Sequence, residues 1–154
     1  MREKVNAALR VICVAVMGIL VIDVLWQVIS RYLIGIPSSF TDELAGFLLI
    51  WVGLLGAAYV AGQNEHLAID LLIQKSSPER KRVLNIFIQV FIGLFSLSVL
   101  VVGGTWLVYT RFLLEVKSAA LSIPLGLVYI VLPVSGLLIL YYSIDNLKRE
   151  IDNK

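Results

Sequence analysis

Four long runs that contain almost no charged side chains constrain this sequence more than any other feature. They cover approximately residues 11–30, 44–63, 83–110 and 120–144. Each run is long enough for a helix, at about 1.5 Å per residue, to cross a hydrocarbon core of roughly 30 Å. The chain is 59% hydrophobic, well above the 45–50% or so of soluble domains. The sequence therefore predicts an all-α integral membrane protein with four transmembrane helices, short interfacial segments and a single membrane domain over residues 1–154.

The distribution of Lys and Arg predicts how these helices are oriented. Ten of the 13 Lys and Arg residues lie in the two tails and in the loop between the second and third runs. Loops rich in Lys and Arg usually face the cytoplasm, so we expect both termini inside and a multi-pass protein of the bacterial inner membrane. The connection between the first two runs, residues 31–43, is called the elbow below. The elbow and the loop 111–118 are expected to face the periplasm.

Serine and proline positions indicate where the helices begin. Ser39 precedes Asp42 by three residues, which resembles a capping box at the start of the second helix. Pro78 suits the first position of the third helix, because proline has no N–H to leave unsatisfied there. Pro124 is expected to open the fourth helix and Pro133 to kink it.

Asp23 is an acidic residue inside the first apolar run. A carboxylate at the centre of a membrane helix costs about 2.5–3.5 kcal/mol on insertion scales. Asp23, Gln27 and Ser30 share one helix face, which we expect to turn inward or toward a partner. Asp23 could be a proton or cation site, or a hydrogen-bonded contact that fixes helix packing. The packing interpretation is favoured, because no other run offers an acid at a similar depth.

Two further faces have the composition of helix–helix contacts. One carries polar side chains suited to interhelical hydrogen bonds, and the other carries small residues that let backbones approach closely. The polar stripe is Asn85, Gln89 and Ser96 on the third run, and the small-residue face is Gly46, Gly53, Ala57 and Ala61 on the second.

Metal, cofactor and catalytic sites are not indicated. His66, the single histidine, has Asp70 four residues on, whereas metal sites typically take three or four ligands. We expect a local structural pair on the cytoplasmic side. One histidine also excludes a bis-histidine haem within this chain, and the lone Cys13 excludes an internal disulfide. No nucleophile–base pair and no basic stripe for nucleic acid is present, so neither an enzyme nor a nucleic-acid-binding protein is predicted.

Charged residues beside the expected periplasmic loops are candidates for structural or docking roles. Arg31, Asp42 and Glu43 can pair across the elbow, and Arg111 can pair with Glu115 at i, i+4. Exposed pairs of this kind contribute about 0–1 kcal/mol. These residues form either solvated helix ends or a docking surface for a periplasmic partner.

Two stretches together resemble a known family, the small DctQ-like membrane subunit of tripartite ATP-independent periplasmic (TRAP) transporters. One is "RYLIGIPSSFTDELAGFLLIWVGLLGAAYVAGQNEHLAIDLL" and the other is "SAALSIPLGLVYIVLPVSGLLIL". With the four runs, the resemblance covers nearly the whole chain. The positions that carry it are Arg31, Tyr32, Pro37, Asp42, Glu43, Trp51, Gly56, Ala57, His66, Asp70, Pro124, Tyr129 and Pro133.

The resemblance implies a role without chemistry of its own. In this family a periplasmic protein captures an organic acid, and a large membrane subunit moves the acid together with sodium by an elevator motion. The small subunit pairs with the large one as a heterodimer, surrounded by membrane lipid. It is expected to brace the fixed scaffold and to help dock the periplasmic substrate-binding protein. No cofactor is expected in this chain, and sodium is expected on the large subunit.

Other functions remain open from the residues alone. A self-sufficient, homodimeric four-helix proton-coupled transporter could use Asp23 as its membrane-embedded acid. The chain could also anchor an unrelated membrane complex, such as a respiratory enzyme. The substrate, whether a C4-dicarboxylate, sialic acid or another organic acid, is not encoded in any recognisable pattern here.

Overall fold

Helices make up most of the structure. A computed structural model describes residues 2–36, 38–63 and 78–152. Four helices in this part are long and apolar enough to cross a membrane, and they are called spans 1 to 4 below. Their bounds are Arg2–Ile34, Ser39–Gln63, Arg82–Leu113 and Leu125–Glu150. The predicted all-α membrane fold with four spans is confirmed, whereas the orientation of the termini stays a prediction.

Three of the spans depart from a uniform α-helix. In chain order the elements are the α-helices Arg2–Ile29, Ser39–Gln63, Pro78–Phe95, Gly104–Leu113, Leu125–Tyr129 and Val131–Asp152, with π-helical segments at Ser30–Ile34 and Ser96–Gly103. Span 4 is interrupted at Ile130, where Pro133 has no N–H to donate to the carbonyl of Tyr129. Trp51 of span 2 donates its Nε1–H to the nearby Val128 carbonyl at 3.0 Å. A side chain of a neighbouring helix thus donates a hydrogen bond to the Val128 carbonyl, next to the interruption. Backbone groups inside a membrane need such partners, because lipid offers none.

Span 4 lies between spans 2 and 3, and span 1 packs against span 2, which gives the spatial order 1–2–4–3. In the most apolar window of span 4, 33% of residues are buried, compared with 11% in spans 1 and 3. Near the termini, Tyr142 of span 4 also joins Leu9 of span 1 and Leu55 of span 2 in one buried cluster. Much of the apolar surface of the outer spans is therefore not covered within the described part of this chain.

Span 1 contacts its neighbours through a narrow stripe. The less exposed side chains recur every three or four residues, the spacing of left-handed helix packing. They are Val5, Leu9, Cys13, Val16, Leu20, Asp23, Gln27 and Ser30. Asp23 is 7% exposed and Ser30 is 5% exposed, so the polar face noted in the sequence is the distal part of this stripe.

Small residues and serines join spans 3 and 4. A Cβ placed on Gly136 would lie 2.7 Å from the Cβ of Leu100, so a larger residue would force the two helices apart. Ser96 donates its hydroxyl to the Gly136 carbonyl at 2.6 Å, and Ser143 donates to the Gln89 carbonyl at 2.5 Å. Such close approach and polar contact hold helices together in lipid, where hydrophobic burial cannot drive their association.

A polar network ties together spans 1, 2 and 4 near the termini. Arg2 donates to Asp145 Oδ2 at 2.5 Å and to the Gly62 carbonyl at 2.6 Å. Tyr142 donates its hydroxyl to Asn6 Oδ1 at 2.5 Å. A Cβ on Gly62 would lie 2.8 Å from the Tyr142 ring, so glycine is needed there. We call this side of the protein the terminal end, and the side with the elbow and residues 114–124 the elbow end.

The cap of span 2 differs from the predicted one. Span 2 begins at Ser39, and Ser38 rather than Ser39 makes the hydrogen bonds to its first turn. The hydroxyl of Thr41 donates to the Ser38 carbonyl at 2.9 Å, and the Asp42 N–H donates to the same carbonyl at 3.3 Å. The capping box predicted for Ser39 and Asp42 is therefore wrong by one residue: Ser38 and Thr41 take those places, and the Asp42 carboxylate lies beside Arg31 instead.

Two adjacent glycines of span 3 provide a test of this packing. A Cβ on Gly104 would lie 2.9 Å from the Cβ of Leu132, whereas on Gly103 its nearest neighbour is the Ser98 carbonyl at 3.7 Å. Both Gly→Ala changes gain about 1 kcal/mol of helix propensity, but overpacking at 104 costs about 1–3 kcal/mol. Gly104→Ala should therefore melt at a lower temperature in detergent than Gly103→Ala. Equal midpoints would contradict the close contact between spans 3 and 4.

Candidate functional site

The elbow is closed by Ser30. Its carbonyl accepts the N–H of Gly35 and that of Ile36, the latter at 3.1 Å, and its hydroxyl donates to the Ile36 carbonyl at 2.5 Å. Gly35 has φ +76°, a left-handed conformation that glycine adopts without steric cost. The chain therefore reverses direction immediately after span 1, and the start of span 2 is placed beside the end of span 1.

Arg31 and Asp42 form the ion pair that crosses the elbow. The guanidinium Nη2 lies 3.4 Å from Asp42 Oδ1, and the two side chains are 50% and 44% exposed. At this distance and exposure the pair adds at most about 1 kcal/mol of stability. Both groups remain available to solvent or to a partner at the elbow end.

Glu43 makes a stronger contact than the elbow pairing considered from the sequence. Its carboxylate accepts backbone N–H groups of Ala119, Ala120 and Leu121 at 3.0, 2.9 and 2.8 Å. Hydrogen bonds to a charged acceptor are shorter and stronger than bonds between neutral groups. Glu43 thus fixes the loop between spans 3 and 4 to the first turn of span 2.

The loop that Glu43 holds is itself ordered by backbone contacts. Ser118 donates its N–H to the Ile123 carbonyl at 2.9 Å, and Leu125 donates to the Val116 carbonyl at 2.9 Å. Lys117 pairs with Pro124 in an isolated antiparallel bridge. Residues 114–124 therefore form a short hairpin-like element, called the distal loop below, that caps the elbow end.

The expected ion pair between Arg111 and Glu115 is not formed. The helix of span 3 ends at Leu113, and Glu115 lies beyond it with φ +48°. The i, i+4 spacing brings side chains together only within a continuous helix, so the prediction is wrong for this pair. Arg111 Nε is instead buried without a hydrogen-bond partner in the described part of the chain.

The small-residue face of span 2 points away from the other spans along most of its length. Gly46 and Gly53 are exposed, and a Cβ on either would meet no atom within 4 Å. Ala61 is buried against the rest of the chain at 7% exposure. The exposed residues of this face recur every three or four positions and are Asp42, Gly46, Leu49, Gly53, Ala57 and Val60. We call this surface the open face.

The small residues of span 2 that pack within this chain lie outside the open face. They are Ala58 and Gly62, which are buried. These two residues lie on the side of span 2 that meets span 4. Span 2 therefore has two occupied sides, against spans 1 and 4, and a third that no helix of the described residues covers.

Polar residues within the spans lie at contacts between helices. Asp23 is buried, and its Oδ2 has no hydrogen-bond partner among the described residues. Gln27 is half-buried one turn on. Asn85 donates to Glu150 Oε1 at 3.4 Å, and Gln89 is half-buried on the side that faces Ser143. The predicted pair of His66 and Asp70 lies outside the described residues.

Among the described residues, no group of three or more His, Cys, Asp and Glu side chains is placed to hold a metal ion. The polar groups at the elbow end hold backbone and pair with one another.

Comparison with known proteins identifies the family. The model of the family "Tripartite ATP-independent periplasmic transporters, DctQ component" matches residues 20–153. The chain belongs to this family. The resemblance noted from the elbow and the start of span 4 is thereby confirmed. The chain is an accessory subunit of a TRAP transporter and a multi-pass protein of the inner membrane.

Relatives of this DctQ-family chain agree with that assignment. It is 26% identical over 137 residues to a putative TRAP transporter small permease protein of Haemophilus influenzae, covering 88% of this chain and 82% of the relative. It is 30% identical over 103 residues to the sialic acid TRAP transporter small permease protein SiaQ of Vibrio cholerae, covering 65% and 59%. A segment of 84 residues is 32% identical to the sialic acid TRAP transporter permease protein SiaT of Haemophilus influenzae, covering 53% of this chain and 13% of SiaT.

Adjacent carboxylates provide a test of the contact between Glu43 and the distal loop. Glu43→Ala should make the amides of Ala119, Ala120 and Leu121 exchange with deuterium at least about tenfold faster, because their charged acceptor is lost. Asp42→Ala removes an equally negative side chain at the same end and should leave these amides protected. Equal protection in the two variants would show that Glu43 does not hold the loop.

Proposed function

We propose that this subunit braces the fixed part of the large permease subunit in a sodium-coupled TRAP transporter that imports an organic acid. In the same complex it helps to dock the periplasmic substrate-binding protein. The observation that carries the proposal is the open face of span 2, which has small residues at Gly46, Gly53 and Ala57 and no helix against it within the described part of the chain. Sodium and the substrate are bound by the large subunit in this proposal.

The open face has the properties of a helix contact in lipid. Lipid tails are as apolar as leucine, so an exposed apolar surface alone gives no drive to associate. Gly46 and Gly53 expose backbone that a partner helix can approach closely, and Leu49 and Val60 provide larger side chains between them. This alternation of holes and knobs supports packing against a helix of the large subunit.

The elbow end supports a bracing role because it is tied together in three places. Ser30 closes the elbow, Arg31 bridges to Asp42, and Glu43 fixes the distal loop. A moving transport domain needs a static neighbour against which it can act. Spans joined in this way at one end, and by the Arg2 network at the other, are suited to remain static.

The relatives support the partner and the substrate class. The similarity to a short part of SiaT, over 13% of its length, indicates that a segment like this one occurs within a permease protein. That arrangement favours a fixed one-to-one association over transient contact. Two of the relatives are sialic acid transporter proteins by name, which supports a carboxylate as the transported group.

Substitution on the open face tests the contact with the large subunit. Gly53→Leu should weaken association roughly five- to hundredfold, since overpacking a helix contact costs about 1–3 kcal/mol. Gly18→Leu is the matched control, because Gly18 on span 1 is also exposed with nothing within 4 Å of an added Cβ. Co-purification of the large permease with each tagged variant provides the measurement.

The two variants separate folding from association. Gly53→Leu should reach the membrane at the normal level and melt normally when purified alone, but retain little large permease. Gly18→Leu should retain it fully. Normal recovery of the large permease with Gly53→Leu would count against the open face as the contact.

Charge reversal at the elbow tests docking of the binding protein. Arg31→Glu should lower uptake several-fold at limiting concentrations of binding protein and less at saturating ones, because long-range charge mainly affects the rate of encounter. Lys148→Glu is the control, since Lys148 is also exposed but lies at the terminal end. Transport in proteoliposomes with added binding protein provides the measurement. Unchanged uptake by Arg31→Glu, with the complex intact, would remove the elbow from the docking surface.

A further inference from the structure

A polar cleft lies where span 3 meets the distal loop. It has a volume of about 290 Å³ and is lined by Arg111, Phe112, Glu115, Lys117 and Pro124. Two of these side chains carry positive charge and one carries negative charge. The cleft lies outside the open face and the elbow pair, and the contacts described so far leave it empty of any partner group.

Arg111 indicates the kind of group that belongs in the cleft. Its Nε is buried and has no hydrogen-bond acceptor in the described part of the chain. A guanidinium stays charged at any physiological pH, and a buried donor without an acceptor costs about 1–3 kcal/mol. Glu115 does not supply the acceptor, because it lies past the end of the helix. No ion pair joins Arg111 to a carboxylate of the described residues, so its guanidinium can bind an anion that enters the cleft from outside the chain.

The walls of the cleft are held in place before any ligand binds. The backbone of Lys117 is fixed by its bridge to Pro124, and the following residues are fixed by Glu43. Arg111 lies in the last turn of the helix. Such a preformed site loses less conformational entropy on binding than a pair of free side chains.

The surroundings of the cleft are apolar, as expected at the edge of a membrane. Phe112, Leu113 and Leu114 are 44%, 65% and 68% exposed. The centroids of the exposed rings of Trp106 and Tyr109 lie 6.2 Å apart, five and two residues before Arg111, and aromatic rings of this kind gather at membrane–water interfaces. The anion that reaches Arg111 is therefore part of a molecule that sits at the lipid surface.

We propose that the cleft binds the headgroup of a phospholipid that carries an amine, such as phosphatidylethanolamine. Arg111 and Lys117 donate to the phosphate oxygens, Glu115 accepts from the ammonium, and the acyl chains lie beside the exposed side chains of Phe112, Leu113 and Leu114. Guanidinium groups bind phosphate oxygens through directed, charge-assisted hydrogen bonds. The site would fix the depth of the elbow end in the bilayer.

The test measures lipid binding to the full chain, purified in mild detergent and stripped of native lipid, by native mass spectrometry. The added probes are phosphatidylethanolamine, phosphatidylglycerol and a diacylglycerol with the same acyl chains, and inorganic phosphate is the competitor. The variants are Arg111→Gln, Lys117→Gln and Glu115→Gln. Arg31→Gln is the control, because Arg31 is also a cation at the elbow end but is exposed and paired with Asp42.

We expect phosphatidylethanolamine to bind about tenfold more weakly to Arg111→Gln and to Lys117→Gln, since each loses a charge-assisted hydrogen bond. Lys117 is exposed, so its variant should keep the fold even if Arg111→Gln does not. Glu115→Gln should lose the preference for phosphatidylethanolamine over phosphatidylglycerol. Arg31→Gln should bind lipid normally, and diacylglycerol should bind weakly to every form.

Three results would overturn the proposal. Equal binding of phosphatidylethanolamine to Lys117→Gln and the unmodified chain would show that the cleft does not hold the headgroup. Full competition by inorganic phosphate would assign the cleft to a soluble anion. Unchanged lipid binding together with loss of the large permease from Arg111→Gln and Lys117→Gln would assign it to a carboxylate of that partner.

Discussion

Close packing of span 4 against both of its neighbours is the interaction on which the rest of this structure depends. In lipid the helices gain nothing from hiding apolar surface, so they are held by backbone approach and by hydrogen bonds that lipid cannot replace. Gly136 and Ser96 provide both on the side of span 3, and Gly62 with Tyr142 provides them near the termini on the side of span 2. Because each contact uses a narrow stripe of small residues, the remaining faces stay free for other molecules.

The number and approximate place of the spans could be predicted from the sequence because the length of an uncharged run has a direct physical meaning in a bilayer. Contacts between distant segments could not. Glu43 binds amides 76 to 78 positions away, and nothing in the local pattern distinguishes its carboxylate from that of Asp42. The predicted pairing of Arg111 with Glu115 is not formed, because the helix ends before Glu115. The position of a helix end is hard to predict from sequence when the following loop has a mixed composition.

The small-residue face of span 2 shows a different limit of sequence analysis. Its spacing predicts a contact with another helix, but the spacing is the same whether that helix is in this chain or in another. The structure places Ala58 and Gly62 against span 4 and leaves Gly46 and Gly53 uncovered. Under the proposed function, the first set of small residues serves folding and the second serves assembly with the large permease subunit. Asp23 is buried in the contact stripe of span 1, and its Oδ2 has no hydrogen-bond partner among the described residues.

The most direct test of the central claim is photo-crosslinking in intact membranes from a light-activated amino acid placed at position 53, with position 18 as the reference. Position 53, on the open face, should capture the large permease subunit as a single heterodimeric product, identified by mass spectrometry. Position 18, on span 1, should capture little protein. Capture of the large permease from position 18 and not from 53, or capture of a second copy of this chain from 53, would contradict it.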